Sequence, residues 1–273
     1  MSRDENQEIC LWSSPLIATD AAISHGVTER GGGTSAAPFD TLNLGLHVGD
    51  LPEAVVANRE RGAALAGMGL ERMVCAQQVH GAQVAVVTGA DAGRGAVAFD
   101  AAVPEVDALV TDTEELLLAL YFADCLPILL ADPVRRVVAV AHAGWRGLVD
   151  GVIENTIAAM ADGFGVRTAE VTAAVGPGIG RCCFAVGQEV AERFPAAQVI
   201  IGKSGQPHVD LPGVARQRLQ AAGVPAERIV VAEECTACHT DRYFSHRREG
   251  GRTGRMAAFI ALRERCIAAP PQH

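Results

Sequence analysis

Three consecutive apolar runs constrain this chain most. Residues 116–123, 127–131 and 136–141 are almost wholly apolar. Their lengths suit strands, and a strand that is apolar on both faces has to be covered on both faces. A lone sheet with one wet face is therefore excluded. The chain has the means to supply the cover: 49% of its 273 residues are apolar and 20% are charged, which also excludes global disorder. The longest apolar stretch, residues 116–131, is interrupted by Asp124 and Pro127. It falls short of the ~20 residues that a membrane-spanning helix requires.

Around these runs the pattern alternates. Asp50, followed by Pro52 and Glu53, signals a helix to about Met68, with Ala54, Ala57, Arg61, Ala64, Leu65 and Met68 on one face. Residues 73–79 and 83–88 flank His80-Gly81 and predict a hairpin. Residues 107–111, 171–175 and 229–232 predict further strands. Helical periodicity covers residues 148–164, where Val152, Ile153, Ile157, Met160 and Phe164 form the stripe. Further helices are predicted over 186–194, 211–222 and 255–267. Residues 11–50 read as short strands and loops. No repeat or low-complexity linker divides the chain, so the simplest reading is one α+β domain over residues 1–273, with short flexible tails at both ends.

Charge narrows the partners. The net charge of −9 leaves no broad basic face for nucleic acid, and 4% aromatics offer few base-stacking platforms. The polar N-terminus lacks the apolar segment of an export signal. We therefore expect a soluble cytoplasmic protein with no nucleic-acid or membrane partner. In that compartment the eight cysteines read as metal ligands, catalytic groups or buried thiols, not as disulfides.

Three segments place a metal-capable side chain at the end of an apolar run. They are Gln77-Gln78-Val79-His80-Gly81, Ala123-Asp124-Cys125-Leu126-Pro127 and His142-Ala143-Gly144-Trp145-Arg146-Gly147. If His80, Cys125 and His142 converge, two imidazoles and a thiolate suit zinc and leave a fourth position open, the mark of a catalytic site; copper takes the same donors. Spacing alone leaves another reading open, in which the histidines are hydrogen-bonded core residues and Cys125 is a small buried hydrophobe.

Other motifs carry weaker signals. Cys235-Thr236-Ala237-Cys238-His239 matches the haem c attachment pattern, but attachment takes place outside the cytoplasm. A zinc knuckle would need a second Cys or His pair at a regular spacing, and none is evident; Cys182-Cys183 read as buried thiols near a turn. The arginine-rich loop 241–255 and Arg30-Gly31-Gly32-Gly33-Thr34-Ser35 could hold an anion, or be solvated loops. Gly176-Pro177-Gly178-Ile179-Gly180 reads as a turn, since its third glycine comes too early for a dinucleotide fingerprint.

Taken together, Gln78-Val79-His80-Gly81, Ala123-Asp124-Cys125-Leu126-Pro127, His142-Ala143-Gly144-Trp145-Arg146-Gly147, Gly176-Pro177-Gly178-Ile179-Gly180 and Phe244-Ser245-His246-Arg247-Arg248 resemble the YfiH-like family, which also carries the labels laccase-domain, polyphenol oxidase and purine nucleoside phosphorylase. Leu42-Asn43-Leu44-Gly45-Leu46-His47-Val48-Gly49-Asp50 matches as well, so the resemblance spans nearly the whole chain. It implies a single α+β domain of mixed sheets packed as a sandwich and flanked by helices. It also implies a metal, usually zinc, on His80, Cys125 and His142. The implied reaction is phosphorolysis of adenosine, inosine, guanosine or methylthioadenosine, with adenosine deamination as a second activity. The competing implication is an amidase that removes a misattached amino acid from a UDP-muramyl peptidoglycan precursor.

The residues weigh these labels. Eight histidines without one His-x-His pair disfavour a multicopper laccase, and the His-x-Glu and Pro-Cys-x-x-Cys set of zinc deaminases is absent. Phosphorolysis needs a bound phosphate, for which Arg30, Ser35, Arg247 and Arg248 are candidates, with Asn43 and Arg146 of the shared motifs as further substrate contacts. Asp124 is the candidate proton shuttle or the acceptor that orients a ligand histidine. Neither an oligomeric state nor the choice among the arginines follows from the sequence.

Overall fold

The computed structural model describes residues 8–264. In chain order the elements are β1 (Leu11–Trp12), β2 (Ile23–Thr28), α1 (Pro52–Leu65), β3 (Met73–Cys75), β4 (Val84–Val86), β5 (Ala108–Thr111), β6 (Leu117–Phe122), β7 (Leu126–Asp132), β8 (Val137–Ala143), α2 (Trp145–Asp150), α3 (Val152–Phe164), β9 (Thr172–Val175), α4 (Gln188–Ala191), β10 (Val199–Ile201), β11 (Pro207–Val209), α5 (Leu211–Ala221), β12 (Ile229–Val231) and β13 (Met256–Leu262). Short 3-10 turns join several of them.

Two mixed sheets carry the molecule. One has the order β1-β2-β13-β6-β3 and the other β12-β9-β7-β8-β5-β4, while β10 and β11 form a separate ribbon. The three apolar runs are β6, β7 and β8, and every residue in these strands is buried. Strand alternation shows why. Leu118, Leu120 and Phe122 of β6 meet Leu129 of β7 and Val138 and Val140 of β8 in the core between the sheets. The opposite face of β6, Leu117, Ala119 and Tyr121, packs with Ala63 of α1. On the far side of the second sheet, Ile128, Leu130, Ala139 and Ala141 pack with Ile153, Ile157 and Met160 of α3 and Val214 and Leu219 of α5. The result is four layers: α1, sheet, sheet, then α3 with α5.

Several elements depart from the periodicity. The expected hairpin is absent: β3 pairs with β6 in one sheet and β4 with β5 in the other, both parallel. Residues 76–83 therefore pass from sheet to sheet. The expected last helix is a strand over its described part, because β13 lies centrally between β2 and β6, where burial on both faces overrides the helix preference of an Ala-rich run. Residues 265–267 of that expectation, and the expected tails at 1–7 and 268–273, lie outside the described residues. The helix expected over 148–164 is two helices, divided at Gly151 with φ 91°. That expected over 186–194 is only a single turn, α4. Finally, α1 buries Val55, Asn58, Arg59, Gly62 and Ala63, while Ala64 and Leu65 face solvent. Its buried stripe is partly polar because Arg59 donates to the carbonyls of Leu44, Gly95 and Ala96.

Candidate metal centre

The passages between sheets place the ligands. His80 sits on the β3–β4 passage and Cys125 on the β6–β7 passage, each of which leaves one sheet and enters the other. His142 lies near the end of β8, paired with Pro127 of β7. Positive φ values at His80 (61°) and Asp124 (80°) mark the sharp turns that these passages make. The ligand atoms of His80, Cys125 and His142 lie within 4.8 Å of one another, and the two imidazoles stand edge to face at 4.8 Å. Gly144 leaves the room they need, since a Cβ there would lie 3.0 Å from Cys125 Sγ and 3.3 Å from His80 Cδ2.

A residue that the sequence reading took only as the first of a strand holds this arrangement. Asp107 is fully buried, and its carboxylate accepts from the amides of Val79 (3.1 Å), His80 (3.0 Å) and Gly81 (2.7 Å). It also meets His142 Nδ1 at 2.8 Å, which leaves Nε2 of that ring as the ligand atom. A buried carboxylate at the head of an apolar strand needs partners, and that was the available signal.

Electrostatics prepare the set. Burial pushes the Cys125 thiol up, but His142 and then His80 beside it outweigh burial and bring it to about 6. Burial pulls His142 down, and Cys125 and Asp107 together raise it to about 9. Burial likewise opposes ionisation of Asp107, yet the His142 contact and the amides of Gly81 and Val79 hold its carboxyl below the usual range. Once a metal displaces the second proton of His142, Asp107 would hold that ring in one tautomer, and the Cys125 thiolate with two imidazoles forms a donor set that suits zinc or copper, with a coordination position to spare.

The triad borders a cavity of about 410 Å³. Phe99, Trp145 and Phe184 supply rings on its walls, and His47, Arg146, His246, Arg247 and Arg255 supply polar groups. Arg146 lies 4.4 Å over the Trp145 ring and has no hydrogen bond or ion pair among the described residues. Arg247 donates to the carbonyls of Cys183 and Ala185. His47 is pulled down to about 4, first by burial and then by Arg255 and Arg59, so it is neutral near pH 7.

The other candidates are placed differently. Asp124 lines the cavity, but its carboxylate accepts from Thr236 Oγ1 (2.7 Å), Ser245 Oγ (2.8 Å) and the Arg247 amide (2.7 Å), and Asp107 is the acceptor that orients His142. Arg30, Ser35, Asn43 and Arg248 do not line the cavity. Arg30 is held by Glu249 at 3.0 Å and by the carbonyls of Asp40 and Thr240. Ser35 accepts from Asn58, and Arg248 donates to the carbonyl of Ala237. Asn43 accepts from the amide of Arg255 and so places that cavity residue, which was missed together with His47 as a site residue.

Comparison with known proteins points to one family. A model of the family described as multi-copper polyphenol oxidoreductase laccase matches residues 24–263. The purine nucleoside phosphorylase YlmD of Geobacillus stearothermophilus is 44% identical over 246 residues, spanning 88% of this chain and 90% of that protein. The purine nucleoside phosphorylase YfiH of Escherichia coli K12 is 40% identical over 240 residues, spanning 86% and 92%. The crystal structure of YlmD from Geobacillus stearothermophilus matches with a TM-score of 0.89 at 41% identity, covering 96% of this chain and 98% of that one. With the fold, the ordered motifs and these likenesses in agreement, the chain belongs to the YfiH-like, laccase-domain family.

Proposed function

We propose that the protein is a zinc-dependent purine nucleoside phosphorylase of broad specificity, acting on adenosine, inosine, guanosine and methylthioadenosine. One observation carries this reading: the His80–Cys125–His142 set borders a cavity that combines aromatic walls with an uncommitted guanidinium on Arg146. The relatives named as purine nucleoside phosphorylases support the same reaction class. The described cysteines are all free, as suits the reducing cytoplasm.

In phosphorolysis a phosphate oxygen bonds to the anomeric carbon, the glycosidic bond breaks, and the base departs with its electron pair and gains a proton. Arg146 binds the phosphate by charge-assisted hydrogen bonds, with Arg247 adding charge from the opposite loop. Trp145 and Phe184 flank the planar base. Neutral His47 offers a hydrogen-bonding nitrogen without further positive charge. Asp124 anchors the Arg247 loop. Bound zinc, on His80, Cys125 and His142, supplies Lewis acidity toward a substrate oxygen; copper fits the same donors.

The test measures base release from adenosine and inosine with and without phosphate, beside a His80→Ala/Cys125→Ala/His142→Ala variant. Phosphate-dependent release, lost in the variant, is the expected result. Inosine formed from adenosine without phosphate would report the deaminase side activity. No base release under either condition would overturn the assignment, and amino-acid release from a UDP-muramyl substrate would then identify the amidase.

A further inference from the structure

The second cysteine pair that no spacing revealed lies opposite the first. The turn at residues 180–184 and the turn at 235–239 meet, and the sulfurs of Cys182, Cys183, Cys235 and Cys238 all fall within 4.8 Å of one another. This corrects the expectation of buried thiols at Cys182-Cys183, since Cys182 is exposed and Cys183 only half-buried. We propose that these four cysteines form a second metal site, distinct from the His80–Cys125–His142 centre, that binds a tetrahedral thiophilic ion such as zinc and fastens the turn at residues 180–184, whose Phe184 lines the cavity, to the turn at residues 235–239.

Three observations on the geometry carry this. First, Cys182 and Cys183 stand 3.6 and 3.5 Å from Cys238. Four ligands at the usual zinc–sulfur distance of ~2.3 Å lie roughly 3.8 Å apart, whereas a disulfide requires ~2.0 Å. Second, the backbone closes around the Cys235 sulfur. The Gly180 amide donates to Cys235 Sγ at 3.2 Å, and the Cys238 and His239 amides close the turn on the Cys235 carbonyl. Amide donors of this kind favour the ionised sulfur. Third, cationic side chains border the site: Arg247 donates to the carbonyl of Cys183 and Arg248 to that of Ala237. They offset the surplus negative charge that a tetrathiolate leaves on a divalent ion.

An ion displaces the thiol protons and takes the sulfurs as ligands. The consequence for the cavity is mechanical. Thr236, between Cys235 and Cys238, donates to Asp124, and the carbonyl of Cys183 holds Arg247. Closing the four cysteines on one ion therefore ties down the loop of a cavity arginine without touching substrate.

The experiment uses the full chain, purified without chelator. Metal analysis is expected to find two ions per chain, falling to one in Cys182→Ser/Cys238→Ser and to one in His80→Ala/Cys125→Ala/His142→Ala. Cobalt(II) added to the metal-free wild type reports the sites without any variant. A four-sulfur tetrahedral site gives intense sulfur-to-cobalt charge transfer beyond what a single thiolate supports, and this band should survive in the triad variant. Loss of only the weaker one-sulfur signal in that variant separates failure of the active-site reading from failure of this one. A single ion per wild-type chain that is lost in the triad variant, no four-sulfur cobalt spectrum, or an intact mass showing these cysteines joined in disulfides would overturn the proposal.

Discussion

At the residue scale, Asp107 decides the geometry of the centre. One oxygen accepts from Val79 and Gly81, the other from His80 and the His142 ring. Asp107→Asn keeps the shape but must turn an amide NH2 toward donors. The expected outcome is a 10–100-fold loss of zinc affinity in chelator competition, with the far-ultraviolet circular dichroism retained. Unchanged affinity would show that the ligands hold themselves in place. As candidates, His80, Cys125 and His142 were legible because each ends an apolar run in a motif of distinctive residues, and the fold brings them together. Asp107 was not, because its partners include backbone amides 26–28 positions away that a linear pattern does not reveal. The arginines were harder still. Arg30 and Arg146 look alike in sequence, and only the fold shows one paired with Glu249 and the other free of such partners among the described residues.

At the scale of elements, β6, β7 and β8 were read well because burial on both faces leaves an unbroken apolar signal that few other structures produce. The misreadings came where tertiary packing outweighed local preference, in β13 and in the polar stripe of α1. Gly151 illustrates a smaller failure, for the apolar stripe runs through the junction of α2 and α3 and hides the break. At its φ of 91° an added Cβ meets only Glu154 Oε2, at 3.7 Å, so the cost of Gly151→Ala is backbone strain alone. A loss of about 1 kcal/mol is expected, the ~1–2 kcal/mol of left-handed strain less the stabilisation that comes from lowering the entropy of the unfolded chain. Differential scanning calorimetry should show a melting temperature lower by a few degrees with metal content unchanged. No shift would mean that the junction relaxes.

At the scale of the whole molecule, the alternation of inward and outward side chains makes the two sheets share a core. Leu129 lies in it with no exposed surface. Leu129→Ala is expected to cost about 2–5 kcal/mol, the usual penalty for emptying a buried leucine site. If the chain is one domain, calorimetry shows a single transition displaced as a whole; two separate transitions would show that the sheets melt independently. The same architecture sets what the chain can tolerate in length. His80 and Cys125 ride on passages between sheets, so an added residue in either would carry a candidate ligand away from its partners. The β7–β8 turn at residues 133–136 lies at the other end of seven-residue strands, roughly 20 Å off, with Val134 66% exposed. Insertions, tags or grafted loops belong there, where the chain can grow without disturbing the end that carries the candidate metal centre.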